Sequence, residues 1–205
     1  VTVVLLVRHG ETDWLGERLA GRMPGIHLNA SGREKAETLA AMLQPLALAA
    51  IYSSPLERAM ETAEPTSRDA GKSILCDERL QEVDFGSLTG KPFSELRDMP
   101  IWQEVHHRPS GVKYPGGESL QDVQDRAVRM IDDVRADYES GVVALFTHAD
   151  TIRLALAHFL RMPMEAYHSL VTDPASVSVL SFNRKMVRVR AVNLPPGSPL
   201  HGKTE

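Results

Sequence analysis

Two five-residue runs, Val3–Val7 and Val142–Phe146, are apolar at every position. A half-exposed strand would alternate, and a helix would need a longer apolar stripe. Runs this short and rich in β-branched residues suit strands covered on both faces, the condition found in parallel sheets flanked by helices. Between and after them the chain alternates helical and strand-like patterns. Ala36, Leu39, Ala40 and Leu43 lie on one helical face, with Ser31 and Glu34 read as a capping box and Pro45 as the stop. Ala49–Tyr52 reads as a second buried strand. Ser54-Pro55-Leu56-Glu57 reads as a capped start to a helix that Gly71 ends, with Pro65 inside it. Ser73–Cys76 is a weak third strand. Leu120, Val123, Ala127, Met130, Ile131 and Val134 share a face of a long helix opened by Ser119. Ile152, Ala155, Leu156 and Phe159 mark another, and Ser176–Ser181 and Met186–Val192 read as strands joined by a turn at Asn183–Lys185. The expected fold is therefore α/β, three layers with a mainly parallel central sheet flanked by helices.

A chain of 205 residues fits one domain, expected over residues 1–193, with a helical and loop insertion at about 86–118 and a Pro/Gly-rich flexible tail over 194–205. Lys and Arg number 23 and Asp and Glu 27, a net charge of −4, so nothing favours nucleic acid as a partner. The single cysteine, Cys76, excludes an internal disulfide and a cysteine-rich zinc site. The run at Val3–Val7 is far short of the ~20 residues of a membrane span. The expectation is a cytoplasmic protein without membrane partners, and the C-terminal strands offer an edge for a homodimer.

Ligands of open α/β sheets bind beyond the carboxyl ends of the strands. Three strand ends here lead into Arg8-His9-Gly10, into Ser53-Ser54-Pro55 with Arg58 one turn later, and into Thr147-His148. Two arginines and two histidines recurring where helix N-termini also point their N–H groups favour an anion, above all phosphate.

Leu6-Val7-Arg8-His9-Gly10-Glu11-Thr12 resembles the signature of the histidine phosphatase superfamily, which includes cofactor-dependent phosphoglycerate mutases. Ser53–Ala63, Leu80–Gly86, Gly116–Ser119 and Thr147–Arg153 resemble its later motifs, in family order. The resemblance implies that His9 is a nucleophile forming a phosphohistidine and that Arg8, Arg58 and His148 hold the phosphoryl oxygens. It further implies that Glu82 is the general acid and base, ahead of Asp84 and Asp150. The backbone N–H of Ala149 is a further candidate donor. Arg22 is a candidate for a second anionic group of the substrate, and Trp102, His106, His107, Arg108, Lys113 and Tyr114 are candidates for the pocket wall.

The sequence departs from the family pattern at Leu15, where Asn is frequent, at Ala149, where Gly is frequent, and at Gln81, a common Arg. The expected activity is metal-independent hydrolysis of a small phosphorylated metabolite through phosphohistidine, with no cofactor and no metal. His106-His107 reads as surface rather than as a metal site. A bisphosphate-dependent mutase is the alternative, set second because residues 86–118 supply few placed cations. A non-catalytic phospholigand-binding module is an alternative of another class.

Overall fold

A computed structural model describes residues 1–183 and 186–200. Its elements are β1 (Thr2–Arg8), α1 (Ala30–Leu43), β2 (Leu48–Ser53), α2 (Glu57–Ala70), β3 (Ile74–Cys76), the short helices α3 (Phe93–Leu96) and α4 (Pro100–His107), α5 (Leu120–Asp137), β4 (Gly141–Thr147), α6 (Ala149–Phe159), β5 (Val177–Asn183) and β6 (Met186–Leu194). The strands form one sheet in the order β3-β2-β4-β1-β5-β6. The four strands from β3 to β1 are parallel, and β5 and β6 are added antiparallel.

Both faces of the sheet are covered, which explains the unbroken apolar runs. On one face Val3, Leu5, Val7 and Phe146 pack with Leu39, Leu43 and Ala63 of α1 and α2. On the other, Val4, Leu6 and Leu145 pack with Met130, Ile131 and Val134 of α5 and Ile152 and Leu156 of α6. A third cluster lies beneath the long connection from β3 to α5, where Val83, Phe85, Leu88, Leu96, Val105 and Tyr114 meet the start of α5, α6 and Tyr167. That connection carries α3, α4 and three-residue 3-10 turns ahead of α5, the long helix that leads back to β4.

Several local expectations are corrected. Asn29, not Ser31, caps α1, accepting from Gly32 N–H at 2.8 Å. Helix α2 begins at Glu57 without a side-chain cap. Ser54 accepts from Leu56 N–H at 3.3 Å, but it lies too early to cap the helix and is bonded to His148 as well. Pro65 stays inside α2, and Gly71 ends it in the left-handed conformation at φ +62°. Ser119 does cap α5, with Asp122 closing the box. The segment expected as a free tail includes Leu194 at the end of β6 and Leu200, which is buried in the α1/α2-side core. Residues 201–205 of that tail, and Arg184 and Lys185 of the expected turn, lie outside the described residues. Among the described residues no helix is long and apolar enough to cross a membrane.

One close approach fixes the loop after β1. Asn29 N–H donates to Glu11 O at 2.9 Å, and this draws the loop onto the first turn of α1. A Cβ on Gly32 would stand 2.2 Å from Glu11 O, and one on Gly10 would stand 2.7 Å from Gly32 O. Both contacts are backbone, so no side chain can give way. Gly32→Ala is expected to cost about 1–3 kcal/mol of stability, the range of overpacked sites. Urea unfolding measures it, and an unchanged midpoint would mean that the loop and α1 separate freely.

Candidate active site

The register of the central strands sets the site. Arg8 stands beside Thr147, and Ser53 beside Phe146, so His9, His148 and Ser54 emerge together from the carboxyl ends of β1, β4 and β2. His9 N–H donates to Thr147 O at 3.0 Å, and Ala175 N–H donates to His9 O at 3.1 Å. Ser54 N–H donates to Phe146 O at 2.9 Å. The backbones of His9 and Ser54 are therefore held by a neighbouring strand or loop.

His9 is buried, and its Nδ1 lies 2.7 Å from Gly10 O. A carbonyl only accepts, so Nδ1 carries the proton and Nε2 keeps its lone pair. Burial, then the charges of Arg58 and Arg8, hold the His9 pKa well below the ordinary histidine value. The ring is neutral at physiological pH. His148 is wholly buried, its centroid 5.2 Å from that of His9, and its Nε2 lies 2.8 Å from Ser54 Oγ. Its Nδ1 has no partner in the protein. Burial and Arg58 lower its pKa well below the ordinary value too. When Ser54 gives its hydrogen to Nε2, the proton of the neutral ring sits on that unpartnered Nδ1.

Both arginines are anchored by carbonyls. Arg8 Nη1 donates to Thr172 O at 2.6 Å, and Arg58 Nη2 donates to Gly21 O at 2.6 Å. Arg8 Nε and Arg58 Nε and Nη1 are buried without a partner. Burial brings the Arg58 pKa down to about 10, against an upward pull from Glu82. Thr62 Oγ1 accepts from Gly10 N–H at 2.9 Å and donates to Arg58 O at 2.6 Å, tying the His9 loop to α2.

Glu82 is buried on the segment after β3. Its Oε1 accepts from Val83 N–H at 3.0 Å, and Thr151 Oγ1 lies 3.4 Å away. Burial first, then Asp150, raises its pKa, while Val83 N–H, Arg58 and Arg8 oppose the rise. Arg126 of α5 holds the segment from behind. Its Nη1 donates to Arg79 O and Gln81 O, each at 2.7 Å, and its Nη2 to Glu82 O at 3.0 Å. Glu118 pairs with Arg126 at 3.0 Å and with Arg22 at 2.8 Å.

These groups surround a cavity of about 290 Å³. Of the residues expected from sequence, Arg8, His9, Arg58, Glu82 and Ala149 line it, as do Trp102, His106 and Tyr114. His148 lies behind the lining, against Ser54. Arg22 does not reach the cavity. Its Nε donates to Glu82 O at 3.0 Å and its Nη2 pairs with Glu118, so it supports the Glu82 segment instead of offering a second anion site. His107, Arg108 and Lys113 also fall outside; Arg108 pairs with Glu104 one turn back. Asp84 does not line the cavity either; its carboxylate accepts from Gly86 N–H.

Sequence reasoning missed Arg126, which occupies a core-facing position between Val123 and Met130 and so interrupts the apolar stripe of α5. It also missed Arg153, Tyr167 and His168, which line the same cavity. Among the described residues no group of three His, Cys, Asp or Glu side chains could hold a metal ion. Chemically, unpartnered guanidinium N–H groups, a neutral imidazole lone pair and a buried carboxyl group favouring its proton meet in one cavity. That set can bind a tetrahedral oxyanion, attack its centre and protonate what leaves.

The chain is similar to several known proteins. Over 185 residues the chain is 32% identical to a bifunctional protein of Mycobacterium tuberculosis, a match covering 88% of this chain and 50% of that one. The chain thus spans about half the length of the first curated relatives it matches. It is 28% identical to phosphoserine phosphatase 1 of Hydrogenobacter thermophilus over 93% of this chain and 92% of that protein. Its fold superimposes on mycobacterial glucosyl-3-phosphoglycerate phosphatase with a TM-score of 0.85 and 25% identity, covering 94% of this chain and 98% of the other. The model of the histidine phosphatase superfamily (branch 1) matches residues 4–195, and the chain belongs to that family.

Proposed function

We propose that this chain is a phosphomonoesterase that hydrolyses a small phosphorylated metabolite through a phosphohistidine at His9. The observation that carries the reading is the His9 Nδ1–H bond to Gly10 O. It leaves Nε2 unprotonated beside two arginines whose buried N–H groups have no protein acceptor. The similarity to phosphatases of phosphoserine and of a glycosylated phosphoglycerate supports the same substrate class.

In the first step His9 Nε2 attacks phosphorus and the ester oxygen departs with the proton of Glu82. In the second, Glu82, now a carboxylate, takes a proton from water, whose oxygen attacks the phosphohistidine and frees His9. Arg8 and Arg58 stabilise the charge spread over the phosphoryl oxygens, and His148 Nδ1–H adds a donor from the buried side. The two arginines make the cavity floor electropositive, which disfavours a divalent cation there. The reading places the enzyme in the cytoplasm, where a single exposed thiol, Cys76, is compatible with a reducing medium.

Phosphate release from a panel of monoesters tests the reading. Release is expected to persist in EDTA and to fall at least about 10³-fold in His9→Ala, as loss of a nucleophile does. Isomerisation of 3-phosphoglycerate that requires a bisphosphate, with no hydrolysis, would make the chain a mutase. Silence in both assays would leave a binding module.

Glu82 gives a separate expectation. Glu82→Gln removes the proton donor, so alkyl phosphates should slow by about 10²-fold or more, while p-nitrophenyl phosphate, with its better leaving group, slows far less. Equal losses on the two would remove Glu82 from the acid role.

The pH profile follows from the directions of the shifts. The lowered pKa of His9 keeps it neutral through the physiological range, so it adds no limb there. The raised pKa of Glu82 means that kcat/KM falls as pH climbs through that value, and Glu82→Gln should abolish this alkaline limb. A limb that survives in the variant would belong to another group.

A further inference from the structure

The groups assigned to the phosphoryl oxygens account for only part of the cavity lining. Asp150 and Arg153 lie one turn apart on α6 and line the same cavity, as does His168 on the 3-10 segment Met164–Ser169. Arg153 Nη1 contacts Asp150 Oδ1 at 3.0 Å. Its Nε is buried and has no partner. The ion pair therefore uses one corner of the guanidinium and leaves the Nε/Nη2 edge, two parallel N–H groups in a plane. His168 Nε2 is likewise buried without a partner. Arg8 lines the same cavity as this pair and is subject to the charges of both.

Resting on the phosphomonoesterase reading, we infer that the Nε/Nη2 edge of Arg153, with His168 beside it, is a second anion subsite that selects phosphomonoesters carrying a carboxylate. A carboxylate is planar and accepts two parallel N–H bonds, the match that arginine edges provide. Charge agrees with the geometry. The cavity is lined by four arginines, Arg8, Arg18, Arg58 and Arg153, and two carboxyl groups, Asp150 and Glu82. With the proton on Glu82 that the first step requires, the lining holds three positive charges in excess. A phosphomonoester dianion cancels two, and one carboxylate cancels the third. A neutral alcohol or sugar leaves one over, and a second phosphate dianion exceeds the balance. Asp150 fixes Arg153 in place, so the free edge is preorganised.

Matched substrate pairs test the subsite. O-phosphoserine differs from phosphoethanolamine by its carboxylate, and 3-phosphoglycerate from glycerol 3-phosphate by a carboxylate in place of a CH₂OH group. The wild type is expected to favour the carboxylated member of each pair by at least about tenfold in kcat/KM, because the analogue leaves the guanidinium edge unpaired. Arg153→Met should erase that ratio, and Arg153→Lys, which keeps the charge but not the fork, should restore only part of it. A merely structural role for Arg153 would lower both members alike and leave the ratio standing. Calorimetric titration of the same pairs into His9→Ala protein reads the preference as binding, independent of turnover.

No preference in either assay, or one that survives Arg153→Met, would overturn the inference. So would a stronger preference for fructose 1,6-bisphosphate over fructose 6-phosphate, which would mark a phosphate subsite instead. Failure to hydrolyse even p-nitrophenyl phosphate would sink the phosphomonoesterase reading, while the binding ratio would still decide the subsite.

Discussion

Two arginines that line one cavity, each held by a carbonyl and paired with no carboxylate, set the terms for the groups around them. Burial lowers the pKa of both; Arg153 adds to the lowering at Arg8, and Arg8 adds to it at Arg58. Charged groups left in that state are unfavourable in the folded protein, since a carbonyl dipole offsets only part of the lost hydration. Burial first, and then the charges of these arginines, hold the pKa values of His9 and His148 well below the ordinary value. The nucleophile role proposed for His9 needs the imidazole lone pair, so the arrangement that costs stability is also the one that would ready the ring. On the proposed reading a phosphate dianion offsets the charges of these arginines, and its binding is expected to be strong for that reason.

The carboxyl group of Glu82 sits under opposing influences, and the balance is local. Burial and Asp150 favour its proton, while Arg58, Arg8 and the Val83 N–H favour the anion. An acid that must give a proton in one step and take one in the next needs such a balance. It also needs a fixed position, and the segment that carries it has no regular strand or helix to supply one. Hydrogen bonds to its carbonyls do so instead. Arg126 holds three carbonyls from Arg79 to Glu82, Thr147 Oγ1 holds Leu80 O at 2.6 Å, and Thr151 Oγ1 holds Gln81 O at 2.8 Å.

What the sequence revealed and what it hid divide along physical lines. Strands β1 and β4 were legible because two-sided burial leaves an unbroken apolar run, and α5 because its stripe and its Ser119 cap agree. The cap of α1 was misread: Ser31 and Glu34 fit the capping-box spacing, but a hydrogen bond from Asn29 N–H to Glu11 O fixes the entry angle and makes Asn29 the cap. Tertiary contacts decided that end, and no local pattern reports them. Leu200 was hidden for a related reason, since an apolar residue amid Pro and Gly gives no period to read. At the site, residues following strand ends were found because topology alone gathers them. Arg22 was misassigned because an arginine in a glycine-rich loop looks the same whether it faces substrate or a neighbouring carboxylate. Its partner Glu118 lies 96 positions away.

That misassignment points to how the two halves of the site are kept in step. Gly21 and Arg22 are consecutive. Gly21 O anchors the Arg58 guanidinium, and Arg22 Nε anchors Glu82 O. The loop is pinned in turn by Leu19 N–H to Lys91 O at 2.9 Å and by Gly90 N–H to Leu19 O at 2.8 Å. Arg58 and Glu82, the phosphoryl-binding residue and the acid of the proposed mechanism, thus share a two-residue bracket. Their separation does not depend on the long connection between β3 and α5 finding its place unaided. In-line transfer sets the attacking and leaving atoms on opposite sides of phosphorus, so the acid must stand at a fixed distance from the phosphoryl cradle. A loop arginine bound on its inner side to a carbonyl and on its outer side to Glu118 meets that demand without entering the cavity.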